Sequence, residues 1–115
     1  MRADAEEILR LVLARLDDMK AEDILTIDLR NKSLIGDYMV VSCGRSQRHV
    51  GSVAYRLVEE LHKAGIAARV EGMPHCDWVL IDAGAVLVHV FRPEVRAFYN
   101  LEGMWTTGRA AKRAS

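Results

Sequence analysis

Apolar residues recur along this chain at three spacings, and each spacing predicts a kind of element. Ile8, Leu9, Val12, Leu13, Leu16 and Met19 return at helical intervals and form one stripe. Asp4 stands where a helix cap is wanted, and Glu7 three residues on completes a capping-box pair. From Asp23 to Leu29, Leu25, Ile27 and Leu29 alternate with Ile24, Thr26 and Asp28, the period of two of a strand. "DYMVVSC", Asp37 to Cys43, is nearly continuous in apolar residues, as in a strand buried on both faces. Gly44 and Arg45 turn the chain, Ser46 caps a second helix, and Val50, Val53, Ala54, Leu57, Val58 and Leu61 make its buried side. Gly65 sits where a left-handed residue ends a helix.

A third strand is expected over Ile66 to Gly72, with a right-handed crossover joining it to a parallel second strand. "WVLID" and "VLVHVF" then make an antiparallel hairpin around a glycine-containing turn. If Ala83 and Gly84 are that turn, Leu80 opposes Leu87 and Trp78 opposes His89. One hairpin face then carries Val79, Ile81, Val86, Val88 and Val90, and the other Trp78, Leu80, Asp82, Leu87, His89 and Phe91. Pro93 suits the first turn of a short third helix whose face holds Val95, Phe98 and Tyr99. The fold class is therefore α/β, in the order α-β-β-α-β-β-β-α, with a mixed five-stranded sheet packed by helices. A single domain over residues 1–106 and a disordered basic tail over 107–115 are expected.

Charge narrows the functions open to this fold. Lys plus Arg and Asp plus Glu number 16 each among the 115 residues, so the formal net charge is zero. A chain that lives on phosphate contacts usually carries excess positive charge, so bulk electrostatics is not what would drive nucleic-acid binding here. An RNA-binding module would betray itself by affinity falling steeply with salt. Cys43 and Cys76 do not make a disulfide framework and read as reduced thiols. No secretory h-region and no apolar run of about 20 residues is present, so a soluble, cytoplasmic protein is expected.

Three chemistries compete for the polar residues. A nucleophilic Cys76 would need His75 or His89 as its base, yet neighbours on an extended segment point to opposite sides. A zinc site would draw on Cys43, His49, His62, His75, Cys76 and His89, which show no CxxC or HxxxH spacing. A phosphate site at "SCGRSQRHV" rests on one glycine turn at a helix start. Nucleotide-polymerising folds add two metal-binding carboxylates one residue apart on a following strand, and "ARVEG" offers one acid, Glu71. A nucleotidyl- or phosphoryl-transfer enzyme depending on Ser46 and Glu71 is the alternative reading. No catalytic residue, metal or cofactor is assigned. The aromatic hairpin face has two readings, a core packed beneath a helix or a surface that docks a partner.

"DILTIDL", "IGDYMVVSCGRSQRHV" and "EGMPHCDWVLIDAGAVLVHVFRPEVRAFYNLEGMW", in that order, resemble the ribosomal silencing factor (Iojap-like) family from about Glu7 to about Trp105. Trp78, Asp82, His89, Phe91, Pro93, Arg96, Tyr99, Leu101, Glu102 and Trp105 carry the most specific part of the likeness. The resemblance implies a nucleotidyltransferase-like sheet without the catalytic carboxylates. It also implies a non-enzymatic homodimer, without cofactor, that binds the large ribosomal subunit through its ribosomal protein fourteen. Bound there, such a factor blocks joining of the small subunit and represses translation under nutrient limitation. Carried over by position, Trp78, Leu80, Asp82, His89, Phe91, Arg92, Arg96 and Tyr99 are the expected contact region, with Asp37, Tyr38 and Arg48 beside it. The basic tail from Arg109 to Arg113 could reach ribosomal RNA at the rim.

Overall fold

The structure is a computed structural model and describes residues 4–30, 36–73 and 75–95. Helix α1 spans Ala5–Asp18 and opens on the capping box expected for it. The Glu7 N–H donates to Asp4 Oδ1 at 2.8 Å, and the Asp4 N–H donates to Glu7 Oε1 at 3.1 Å. Two donors that the first helical turn leaves orphaned are thus satisfied locally. Ile8, Val12 and Leu16, four residues apart, form its buried line. Helix α2 spans Gln47–Lys63, with the Ser46 hydroxyl accepting the His49 N–H at 3.1 Å. It buries Val50, Val53, Ala54, Leu57 and Leu61, and it ends at Ala64 and Gly65, where Gly65 has φ +80°. No helix among the described residues is long and apolar enough to cross a membrane.

Five strands, β1 (Glu22–Asp28), β2 (Tyr38–Cys43), β3 (Arg69–Glu71), β4 (Trp78–Asp82) and β5 (Val86–Phe91), form one mixed sheet in the order β1-β2-β5-β4-β3. β2 and β5 are parallel, and the other neighbouring pairs are antiparallel. The expected crossover from β2 through α2 to β3 does not end beside β2, because β5 and β4 lie between them. Burial explains that order. All six positions of β5 are buried and suit the middle of a sheet, whereas Arg69, Val70 and Glu71 are all exposed and suit an edge. Only these three residues of the expected Ile66–Gly72 strand pair with β4.

The hairpin register is displaced by two residues from the expected one. Trp78 faces Phe91, Leu80 faces His89 and Asp82 faces Leu87. The two-residue turn is Gly84-Ala85, flanked by an Ala83 N–H to Val86 C=O bond of 3.0 Å. A tight hairpin turn with one left-handed residue takes glycine first, and Gly84 has φ +85° with its N–H donated to Asp82 Oδ1 at 2.9 Å. A two-residue shift preserves the alternation, so the two face sets stay as expected.

Both helices pack on the face that carries Val79, Ile81, Val86, Val88 and Val90. The opposite face gathers a second cluster of Ile27, Leu29, Met39, Val41 and Phe91, with Leu25, Trp78 and Val95 packed against it. Residues 93–95 begin a helical turn at Pro93, and the remainder of the expected third helix and the basic tail lie outside the described residues.

Two glycines test the backbone argument separately. A Cβ on Gly65 meets nothing within 4 Å, so Gly65→Ala should cost only the left-handed backbone penalty, about 1–2 kcal/mol. A Cβ on Gly72, at φ +91°, collides with the Trp78 carbonyl oxygen. Gly72→Ala should therefore cost about 3 kcal/mol or more, overpacking added to the backbone term. Urea unfolding of both variants measures the difference, and equal losses would contradict the close approach at Gly72.

Candidate functional site

Alternation along β4 turns Trp78, Leu80 and Asp82 away from the helices, and all three are half-buried. Their partners on β5, Phe91, His89 and Leu87, lie deeper, at 0%, 6% and 8% exposure. The face is therefore shielded along β5 and partly open along β4. Trp78 stacks on Phe91 with ring centroids 5.0 Å apart and an interplanar angle of 27°. His89 lies 5.9 Å from both rings, nearly parallel to Phe91 at 11° and tilted from Trp78 at 38°. Large rings with few torsions pack at little cost in side-chain freedom, and of the three only Trp78 keeps part of its surface exposed.

One hydrogen bond sets the electronic state of this cluster. Trp78 Nε1 lies 2.9 Å from His89 Nδ1, and an indole N–H can only donate. Nδ1 must therefore be bare, which leaves the proton of a neutral imidazole on Nε2. Burial acts in the same direction and pushes the His89 pKa down from 6.5 to about 4. Protonation would set two donors against each other in a site that disfavours charge.

The same geometry separates the parts of the nucleophilic reading. Cys76 donates its thiol hydrogen to the Met73 carbonyl, 2.6 Å away, while His89 is engaged with Trp78. His75 is exposed, and its carbonyl accepts from Gln47 Nε2 at 3.1 Å. Among the described residues no three His, Cys, Asp or Glu side chains gather where they could hold a metal ion. Ser46 follows β2 and Glu71 lies on β3, three strand spacings away in the sheet order, or about 14 Å. The side chains of the enzyme alternative are not brought together.

At the end of the sheet near Trp78, Arg92 Nε lies 2.9 Å from Asp77 Oδ1, and Arg92 Nη1 lies 3.7 Å from Glu94 Oε2. The Nε–H does not point along the shorter contact, so charge attraction and not a hydrogen bond joins that pair. Asp77 Oδ1 also accepts from Gln47 Nε2 at 2.9 Å, which ties the start of α2 to the hairpin. Arg48, next along α2, is exposed. Asp37 braces the hairpin turn through its backbone, its N–H donated to Ala85 C=O at 2.7 Å.

Tyr38 departs from the expected grouping. Its alternation places it on the helix-covered face, 8% exposed, with its hydroxyl donating to Glu6 Oε2 at 3.4 Å and Arg30 5.3 Å over its ring. Two residues that the sequence reading did not include do share the aromatic face, since Arg69 is registered opposite Asp82 and Glu71 opposite Leu80. Their period-two pattern was visible in the chain, but which strand they would flank was not. Arg96 and Tyr99 lie outside the described residues.

The low pKa of His89 gives a stability signature. Below pH 6.5 the unfolded chain takes up a proton that the folded chain refuses until about pH 4. Stability should fall as pH drops through that window, by on the order of 3 kcal/mol from this group, and flatten below it. His89→Asn offers an acceptor oxygen near the position of Nδ1 and does not titrate. Urea midpoints measured from pH 7.5 to 4 should decline less in His89→Asn than in the unaltered chain, and parallel declines would remove His89 as the cause.

The model of the family described as ribosomal silencing factor during starvation matches residues 2–115. A ribosomal silencing factor of Zymomonas mobilis is 51% identical over 106 residues, covering 91% of this chain and 80% of that one. The crystal structure of a protein from Chromobacterium violaceum superposes with a TM-score of 0.87 at 36% identity, covering 90% of this chain and 87% of that one. A Mus musculus protein named mitochondrial assembly of ribosomal large subunit protein 1 is 29% identical over 100 residues, covering 84% of this chain and 44% of that one. With a family model that matches it along nearly its whole length and a relative 51% identical over 106 residues, this chain belongs to the family of ribosomal silencing factors.

Proposed function

We propose that this protein binds the large ribosomal subunit through ribosomal protein fourteen, blocks joining of the small subunit and so represses translation when nutrients are scarce. The family match over residues 2–115 is the observation that carries the reading. Steric exclusion needs occupancy and no chemistry. A standard interface of about 1,600 Å² in total supplies the affinity if a few anchors are well packed. Zero net charge suits a protein target better than bare RNA. The resemblance to the family extends the reading to a cytoplasmic homodimer that acts without a cofactor and touches ribosomal RNA only at its rim.

Trp78, Leu80, Asp82 and Arg92 are the accessible part of the contact region, with Arg69 and Glu71 flanking it on β3. Phe91, buried completely, and His89, nearly so, support that region from the neighbouring strand. Arg48 and Asp37 extend it toward α2 and the hairpin turn, and Arg96 and Tyr99 complete the set implied by the resemblance. Tyr38, on the helix-covered face, is a structural residue in this reading.

Adding the protein in excess to isolated large subunits should make it cosediment with them and lower the joined fraction when small subunits follow, read on a sucrose gradient. Leu80→Asp places a charge in the half-buried centre of the face and should weaken cosedimentation at least about tenfold without abolishing cooperative unfolding. Normal subunit joining at saturating protein would refute the reading.

A further inference from the structure

The Trp78–His89 contact has a direction, and that direction assigns the two side chains different tasks. Trp78 is half-buried and reaches the face, whereas His89 is at 6% exposure and presents almost nothing to a partner. The indole N–H is donated to His89 Nδ1 at 2.9 Å, and the same indole stacks on Phe91 at 5.0 Å. The ring is therefore held by a lateral stack and by a hydrogen bond that admits one orientation of the indole edge. Flipping the indole about its Cβ–Cγ bond would take Nε1 away from Nδ1 and leave both polar atoms without this partner. A buried acceptor left unmatched is expensive, so the bond selects one rotamer of an otherwise two-way ring.

We propose that His89 is a positioning residue: its bare Nδ1 fixes the rotamer of Trp78 before the partner arrives, so that the indole docks as a preorganised anchor. An anchor already in its bound rotamer forfeits less side-chain freedom on association, and the gain appears as tighter binding without a new contact. The inference rests on the docking role proposed for this face and goes beyond it by separating the residue that touches from the residue that aims. Asp37 and Ala85 brace the turn at the other end of the hairpin, and their bonds do not involve the indole.

The test pairs His89→Leu, which fills the space without an acceptor, with His89→Asn, whose Oδ1 hangs from Cγ as Nδ1 does. Two readouts are taken on the full chain: cosedimentation with isolated large subunits, and the indole N–H resonance of Trp78, assigned by its loss in Trp78→Phe. His89→Leu is expected to move that resonance toward its solvent-exposed position and to weaken binding about tenfold, while His89→Asn restores both. A merely structural role would track the unfolding midpoint and not the indole resonance. If His89→Leu shifts the resonance yet binds like the unaltered chain, the positioning role is wrong. If His89→Asn keeps the indole bond but still loses binding, His89 touches the partner itself and the role is again wrong. Failure of the unaltered chain to cosediment would instead overturn the docking reading, and the positioning role with it.

Discussion

Strand β5 has to pair on both edges and bury both faces, and the placement of the other elements follows from that demand. β2 runs parallel to it on one side and β4 antiparallel on the other, so its backbone donors and acceptors are used within the sheet. Its β-branched side, Val86, Val88 and Val90, is covered by α1 and α2. Its bulky side, Leu87, His89 and Phe91, is buried as well, and Phe91 joins the cluster of Ile27, Leu29, Met39 and Val41. A strand so committed cannot be displaced from the centre without exposing both clusters, and the hairpin partner β4 is held beside it.

Rigidity at β5 gives β4 its character. Val79 and Ile81 share the helix-covered core, while Trp78, Leu80 and Asp82 keep part of their surface. Beside them on β5 lie two aromatic side chains, one of which accepts a hydrogen bond from the Trp78 indole. The face is thus neither a plain core nor a soft exposed patch. Its apolar residues on β4 pack sideways against the buried side chains of β5, and charged residues, Asp77, Arg92, Arg69 and Glu71, stand at or near its borders. That anatomy, apolar centre and polar rim, is what specific protein interfaces show.

Polar residues that looked like scattered reactive groups have local structural duties. Ser46 caps α2, Cys76 bonds to Met73, and Gln47 and Asp77 fasten the helix start to the hairpin. His49 accepts the Arg45 N–H on Nδ1 at 2.9 Å and places Nε2 2.9 Å from the Met19 carbonyl, joining the end of α1 to the start of α2. A histidine bonded through both nitrogens in this way holds two helices in place.

Features of local geometry can be read directly from the order of the residues. The capping box at Asp4 and Glu7, the cap at Ser46, the left-handed Gly65 and the two hairpin faces depend on near neighbours or on a period of two, and each was legible in the chain. The face sets do not depend on the exact register, because a shift of two residues leaves alternation unchanged. The strand order, the side of the sheet that Tyr38 takes, and the pairing that sets Arg69 and Glu71 beside Asp82 and Leu80 emerge only from long-range packing. The same packing sets which aromatic is buried, Phe91, and which keeps exposed surface, Trp78. Those outcomes rest on contacts between residues far apart in the chain. Periodicity says which residues share a face of their own strand, but the neighbouring strand is chosen by the burial and pairing of the whole sheet.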